Sequence, residues 1–390
     1  MHTTPLPLPP RFVQLALLAV GLAFSAGACA QLPPPRIKPD SGPWDSGAGF
    51  HFDLAKNKLQ KTRQSVSGLA CNLDAQQQRI CLVVFDEGAQ ARYAYVGDKV
   101  LSIDAEPVVL RATDGELDAE GAATDGRYFY VTGSHSAKRG DCASNPDSRH
   151  VLRFRLDPAT GRALRSPAGS ASGALVDYAD TGRLWSILQA QPELAPHVGE
   201  RKCLGSEPPP KAPTLAGQQG VNIEGLAVRD GRLYFGFRGP VLNGVAKVLA
   251  VDADALFGAE ASRAPKATMT SLALGQQRGI RDMVAVKTGF LLLAGPDDSS
   301  SSQGLGWTVS WWDGKGAEEI AEATAKGRAG VVQPRLLAAL DLSEVKLRKC
   351  DKELKPEAIT LLEETPAAYK LLVLSDGMCD GGPLVFTLAR

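Results

Sequence analysis

Acids recur in this chain at the head of one short phrase. Glu120 opens Glu-Gly-Ala-Ala and Glu224 opens Glu-Gly-Leu-Ala, and a turn and an apolar run follow each. Looser copies begin at Ser67, Asp282 and Glu357. Carboxyls gathered at one place can exchange protons, hold a divalent cation such as calcium, or pair with arginine. Left uncompensated, two of them in contact repel by about 4 kcal/mol at an effective dielectric near 20. The first copy leads into Gly133-Ser134-His135-Ser136 and the second into Phe237-Arg238-Gly239. In the catalytic reading Glu120 and Glu224 are acid–base carboxylates, His135 carries the proton and Arg238 clamps an anion. Asp118, Ser136, Asp282 and Glu357 complete the candidate ligand-binding set. A structural reading competes with it: each acid caps backbone amides at a strand entry, and its glycine neighbour permits close approach.

Something must bring these acids together, and the repeat itself indicates what. Self-similarity every few tens of residues marks a β-repeat array. Short apolar runs such as Cys81–Phe85, Phe290–Ala294 and Leu371–Leu374 alternate with Asp-Gly, Gly-Asp and Asn-Gly turn signals. Their continuity fits strands covered on both faces. The interval from Glu120 to Glu224 is about twice the shortest spacing, so it is read as two units, one without the phrase. The count is then six, and the expected fold is all-β, a six-bladed β-propeller. One short inserted helix is expected at residues 182–190, where Leu184, Ile187 and Leu188 fall at helical spacing. In a propeller the innermost strand starts at one mouth of the channel and its neighbour returns there. This pairs Glu120 with residues 133–135, Glu224 with Arg238, Asp282 with Asp297 and Glu357 with Asp376, with Arg278 and Arg281 in reach.

Arg11, the apolar run from Phe12 to Phe24 and the exit Ala28-Cys29-Ala30 form a secretory signal over residues 1–30. The apolar run is short for a membrane span. Ala26 stands where a lipobox carries Leu, so cleavage after Ala30 is favoured over lipidation of Cys29. Residues 31–50 read as a Pro/Gly-rich leader and 51–390 as a single propeller domain. Beyond Ala30 the chain carries 42 Lys and Arg against 43 Asp and Glu. That balance, without a basic run, excludes a nucleic-acid binder. Six cysteines follow the signal: Cys71, Cys81, Cys142, Cys203, Cys350 and Cys379. An even number in an exported chain means disulfides, and no C-x-x-C points to zinc. Cys71–Cys81 flanks one hairpin; Cys142–Cys203 and Cys350–Cys379 are the expected remainder, among fifteen possible connectivities. No G-x-S-x-G, P-loop, H-E-x-x-H or G-x-G-x-x-G occurs.

Two segments carry a family resemblance. Asp118-Ala-Glu120-Gly running to Gly133-Ser-His135-Ser136, and Asn222-Ile-Glu224-Gly-Leu-Ala running to Phe237-Arg238-Gly239-Pro240, resemble the bacterial domain of unknown function 3616 across roughly residues 60 to 385. The resemblance implies a propeller-like β fold and carries no activity with it. The phrase is also distantly similar to that of esterase-like, phytase-like propellers, by fold analogy alone. The sequence thus describes a periplasmic or secreted propeller, monomeric, with no transmembrane segment in the mature chain. At one channel mouth it binds a small polar or anionic ligand or an envelope protein. The alternative is a metal-assisted hydrolase of a phosphoester, lactone or ester at the same place.

Overall fold

The computed structural model describes residues 1–2, 34–112, 115–167, 173–205, 211–215, 219–258, 265–297, 304–316 and 330–390. The signal segment lies, after its first two residues, outside the described residues, as does the stretch 317–329, which the sequence leaves undecided between helix and loop. Residues 34–390 form one compact unit.

The unit is a five-bladed β-propeller. It begins with β1 (Arg36–Ile37) and α1 (Lys56–Arg63). Blade 1 is β2 (Val66–Leu73), β3 (Arg79–Phe85), β4 (Gln90–Val96) and β5 (Leu101–Val109). Blade 2 is β6 (Ala119–Thr124), β7 (Tyr128–Gly133) and β8 (Val151–Asp157), with β9 (Arg162–Ala163) and β10 (Ala179–Thr181) both paired to β8. After α2 (Arg183–Ala190) comes blade 3: β11 (Asn222–Arg229), β12 (Arg232–Gly239), β13 (Val245–Asp252), α3 (Ala253–Phe257) and β14 (Ala267–Ala273). Blade 4 is β15 (Arg278–Val286), β16 (Gly289–Pro296) and β17 (Thr308–Trp312). The chain then lends β18 (Val331–Val332) to the edge of blade 3 and returns as β19 (Arg335–Leu340). Blade 5 is β20 (Lys355–Glu364), β21 (Ala368–Asp376) and β22 (Leu384–Ala389). The innermost strands β2, β6, β11, β15 and β20 touch in that order, and β20 closes on β2.

The expected sixth blade does not exist. The run from His150 to Leu164, read as part of a separate unit, contains β8, the third strand of blade 2. The helix α2 does form where its spacing placed it. Its Leu184, Ile187 and Leu188 pack between blades 2 and 3 instead of supporting a blade of their own. Two more short helices, α1 and α3, accompany it.

Why these strands stack is visible along each second strand. In β7, Phe129 and Val131 face blade 1 while Tyr130 faces blade 3. In β16, Leu291 and Leu293 face blade 5 while Phe290 and Leu292 face blade 3. The period-2 side-chain alternation therefore feeds two apolar interfaces from one strand, which is why these runs are apolar throughout. Five apolar clusters fill the five interfaces between blades.

Three disulfides join Cys71 to Cys81, Cys142 to Cys203 and Cys350 to Cys379. The second ties the β7–β8 loop to the segment after α2. The leader is more than a tether: β1 pairs with β19, Asp40 donates its amide to Val385, and Leu101 donates to Asp45, so residues 36–45 run across blades 4, 5 and 1. Asp380 fastens this strap, accepting from the Phe50 amide at 2.9 Å and from Arg63 Nε at 2.8 Å. Among the described residues, no helix is long and apolar enough to cross a membrane.

Candidate functional site

Every blade carries the same irregularity. Pairing between the innermost strand and its neighbour slips by one residue between Val66 and Gly68, Ala119 and Gly121, Ile223 and Gly225, Ile280 and Asp282, and Pro356 and Ala358. A β-bulge of this kind re-aims the extra residue. The five re-aimed residues are Ser67, Glu120, Glu224, Arg281 and Glu357, one from each blade. Gly68 and Gly121 follow two of them because a Cβ there would meet the neighbouring inner strand: at Gly68 the carbonyl of Glu120 at 2.8 Å, at Gly121 the Cβ of Leu226 at 2.7 Å.

These side chains form a bonded arc. Ser67 Oγ lies 2.6 Å from Glu120 Oε2 and 3.3 Å from Glu357 Oε2. Arg281 pairs through Nη2 with Glu357 and through Nε with Glu224 Oε2 at 3.0 Å. Arg238, at the end of β12, donates from Nη1 to Glu224 Oε1 at 2.8 Å and from Nε to the Asp297 carbonyl at 3.0 Å. Glu224, Arg238, Arg281 and Glu357 are all buried. Burial works to raise the pKa of Glu224, but Arg238 and Arg281 overcome it and hold the group below its ordinary value. Glu357 is pushed up to about 7, mainly by burial, with Arg281 opposing and Asp376 and Glu224 adding to the rise.

Glu120 stands differently. Its partner is a hydroxyl, no arginine among the described residues pairs with it, and burial together with Glu224 and Asp118 raises its pKa well above the ordinary range. It also borders a cavity of about 470 Å³ at this mouth, together with Asp86, Asp118, Ser136, Asn222 and Arg139. Asp118 accepts the Ser134 hydroxyl, and its pKa is raised by burial. Asp86 is raised further, by burial and then by the charges of Asp376 and Asp118. Lysines rim the opening, and Lys61 and Lys355 are paired there with Glu87 and Glu353. A second space of about 230 Å³ is bordered by the inner strands at Leu69, Ala122, Leu226 and Met283.

Asp282 and His135 lie away from the cavity. Asp282 falls one residue beyond the bulge, where Gly68, Gly121, Gly225 and Ala358 stand in the other blades. It is buried away from the cavity, and its carboxylate accepts the amides of Met283 and Ile359, both at 2.7 Å, with Leu226 as a further backbone partner. It pins blade 4 to both neighbours. His135 is sealed in the β7–β8 loop with no exposed surface, its Nδ1 3.0 Å from the Gly133 carbonyl and its pKa lowered to about 4 by burial. It does not border the cavity.

The sequence places Arg281 within reach of the mouth without assigning it a ligand role, and it does not single out Ser67, Asp86 or Asn222 as site residues. Aligning the five phrases on the bulge puts Ser67 and Arg281 in register with the glutamates. Asp86 follows the strand after the Ser67 phrase, as Ser134, Asp297 and Asp376 stand after or at the end of theirs. Among the described residues, no group of three or more His, Cys, Asp or Glu side chains is placed to hold a metal ion. Glu224 and Glu357 meet Arg238 and Arg281, and those guanidiniums supply the positive charge there.

A family model described as "Protein of unknown function (DUF3616)" matches residues 94–165 and 166–380. The chain belongs to the DUF3616 family. No curated protein matches the DUF3616 chain in sequence. Solved propellers resemble it distantly. A GH43 β-1,3-galactosidase bound to galactodeoxynojirimycin is 8% identical, covering 88% of this chain and 94% of its own at a TM-score of 0.41. A GH43 endo-arabinanase from Bacillus licheniformis is 11% identical, covering 89% and 96% at 0.34. The calcium-binding protein regucalcin from Agrobacterium tumefaciens is 10% identical, covering 91% and 95% at 0.35.

Proposed function

We propose that this DUF3616 propeller binds a small polar ligand in the cavity at its polar mouth, in an oxidising compartment outside the cytoplasm. The reading rests on Glu120, the bulge residue that borders the cavity and, among the described residues, pairs with no arginine. Glu224, Arg238, Arg281 and Glu357 are buried and committed to one another, and His135 is sealed, so of the acid–base set Glu120 is the member left at the cavity. That favours binding over turnover of a phosphoester, lactone or ester. A recessed cavity of this volume suits a small molecule better than an envelope protein surface. Three disulfides support an oxidising compartment, and the signal at residues 1–30 supports export to the periplasm or beyond.

Thermal-shift screening of the disulfide-intact protein against sugars, amino acids, amines, carboxylic acids and phosphate esters tests the proposal. At least one class should raise the melting temperature, and Glu120→Gln should abolish the rise. No shift from any class, or shifts untouched by both Glu120→Gln and Asp86→Asn, would end it. Turnover of an ester panel lost in Glu120→Gln would restore the hydrolase.

A further inference from the structure

We infer that the ligand is a small organic cation, an amine or guanidinium with further N–H or O–H donors, received by Asp86, Asp118, Glu120 and Asn222. This deepens the reading of the cavity as a ligand site and rests on it.

The argument begins with which atoms lack partners. Asn222 is 4% exposed and borders the cavity; its Nδ2 donates to Glu224 Oε1 at 3.2 Å, which fixes the amide so that Oδ1 is the remaining group. Among the described residues, no donor reaches Asn222 Oδ1 or Asp86 Oδ1, and both atoms are buried. A native buried acceptor left in this state calls for a donor. Asp118 and Glu120 are met by serine hydroxyls. The floor of the cavity therefore offers acceptors, and a complementary molecule brings donors.

Charge points the same way. Among the described residues none of Asp86, Asp118 and Glu120 forms an ion pair, whereas at the rim Lys61 pairs with Glu87, and Lys355 with Glu353 and Asp376. Arg139 borders the cavity and eases Asp118, but it stands with Lys138 on the exposed stretch of the β7–β8 loop, where water screens it. The floor is left with uncompensated carboxyls, and an ammonium or guanidinium is the group that compensates them while donating several hydrogen bonds.

The same crowding supplies an independent signature. Asp86 faces Asp376, Asp118, Glu357 and Glu87; Glu120 faces Glu224, Asp118, Asp86 and Glu357; Asp118 faces Glu224 and Glu87 against Arg139. Burial and these neighbours raise all three carboxyls, so they retain protons above the ordinary carboxylate range. A bound cation lowers them again and expels protons, and its affinity rises with pH.

Calorimetric titration of the disulfide-intact protein with 1,4-diaminobutane, agmatine and arginine, against glucose, myo-inositol and citrate, in two buffers of different ionisation heat, decides the matter. At least one cation should bind once per chain with proton release, and bind at least about tenfold more weakly in Asp86→Asn and in Glu120→Gln, the loss expected for one hydrogen bond to a charged group. Asp86 lies outside the bonded arc, so Asp86→Asn keeps the test open if Glu120→Gln folds poorly. Binding of glucose, inositol or citrate without the cations overturns the cation and leaves the cavity reading standing. A cation bound without proton release and equally well by both variants overturns the site. No binding by any probe overturns both readings.

Discussion

Removing Arg281 probes the arc where it is most committed. The guanidinium is 3% exposed and joins Glu224 of blade 3 to Glu357 of blade 5 from its own place in blade 4. Arg281→Leu preserves apolar bulk but leaves Glu357 buried with Ser67 as its remaining hydrogen-bond partner among the described residues, while Glu224 keeps Arg238 and Asn222. Breaking a buried pair from one side costs about 3–5 kcal/mol. With an unfolding entropy of about 2.1 cal/mol/K per residue over roughly 350 residues, that is a fall in Tm of about 4–7 °C. The loss depends on pH with a definite sign. Glu357 already titrates near 7 in the folded state, above its unfolded value, and without Arg281 it rises further. At pH 8 the variant bears the cost of an unpaired carboxylate; at pH 5 the carboxyl is protonated in both proteins and the gap closes to about the 1 kcal/mol of a lost hydrogen bond. Arg281→Leu/Glu357→Leu should recover most of the loss, with a coupling of about 1–3 kcal/mol. Circular-dichroism melts and urea unfolding at the two pH values measure all three quantities. A loss below 1 kcal/mol at pH 8, or a gap that widens on acidification, would refute the argument.

Asp282→Ala strips an acceptor from the Met283 and Ile359 amides and should cost about 2–4 kcal/mol without altering ligand binding, since Asp282 does not border the cavity; urea unfolding and the same titrations check both halves. Gly121→Val drives a side chain into Leu226 and the Glu224 carbonyl and should cost about 1–3 kcal/mol in a melt, with Gly42→Ala, where nothing lies within 4 Å of the added Cβ, as the milder control. Wild-type stability should fall as pH rises from about 6.5 to 8, above the range in which neutral His135 adds stability with rising pH. Glu120, Asp86 and Glu357 are all raised in the folded state, so the stability they contribute is present below their unfolded values and lost as pH climbs through the folded ones; Glu120→Gln should flatten the profile measured by melting. Replacing Cys142 and Cys203 by Ser opens a cross-link spanning 61 residues and should cost up to about 4 kcal/mol, read by unfolding with and without reductant.

Much of this molecule is legible in its residues, and the reason is local. A strand buried on both faces must be apolar throughout, so Phe290–Ala294 and Leu371–Leu374 read as strands wherever they pack. The phrase at Glu120 and Glu224 recurs because each blade bulges at the same place, with a polar residue at the bulge and, in four of the five blades, a small one after it. The return of the second strand to the same mouth brought Glu224 and Arg238 into one frame, and they are bonded. The blade count was less legible. A long stretch without the phrase looks the same in sequence whether it is another blade or an insertion, and only the pairing of β8 with β7 distinguishes them.

The residues at the mouth divide along the same line. That acids and arginines are available there follows from type and spacing alone. Which of them meet a ligand does not, because a one-residue slip reverses where a side chain points. That slip put Arg281 on the channel axis and turned Asp282 into its neighbours' backbone. The arginines then claimed Glu224 and Glu357 and left Glu120 to the cavity. Sequence determined the repeat, the apolar strands and the chemistry available at the mouth. Tertiary structure decided the number of blades and which single carboxyl of the arc is left facing open space, because both depend on pairing between strands far apart in the chain.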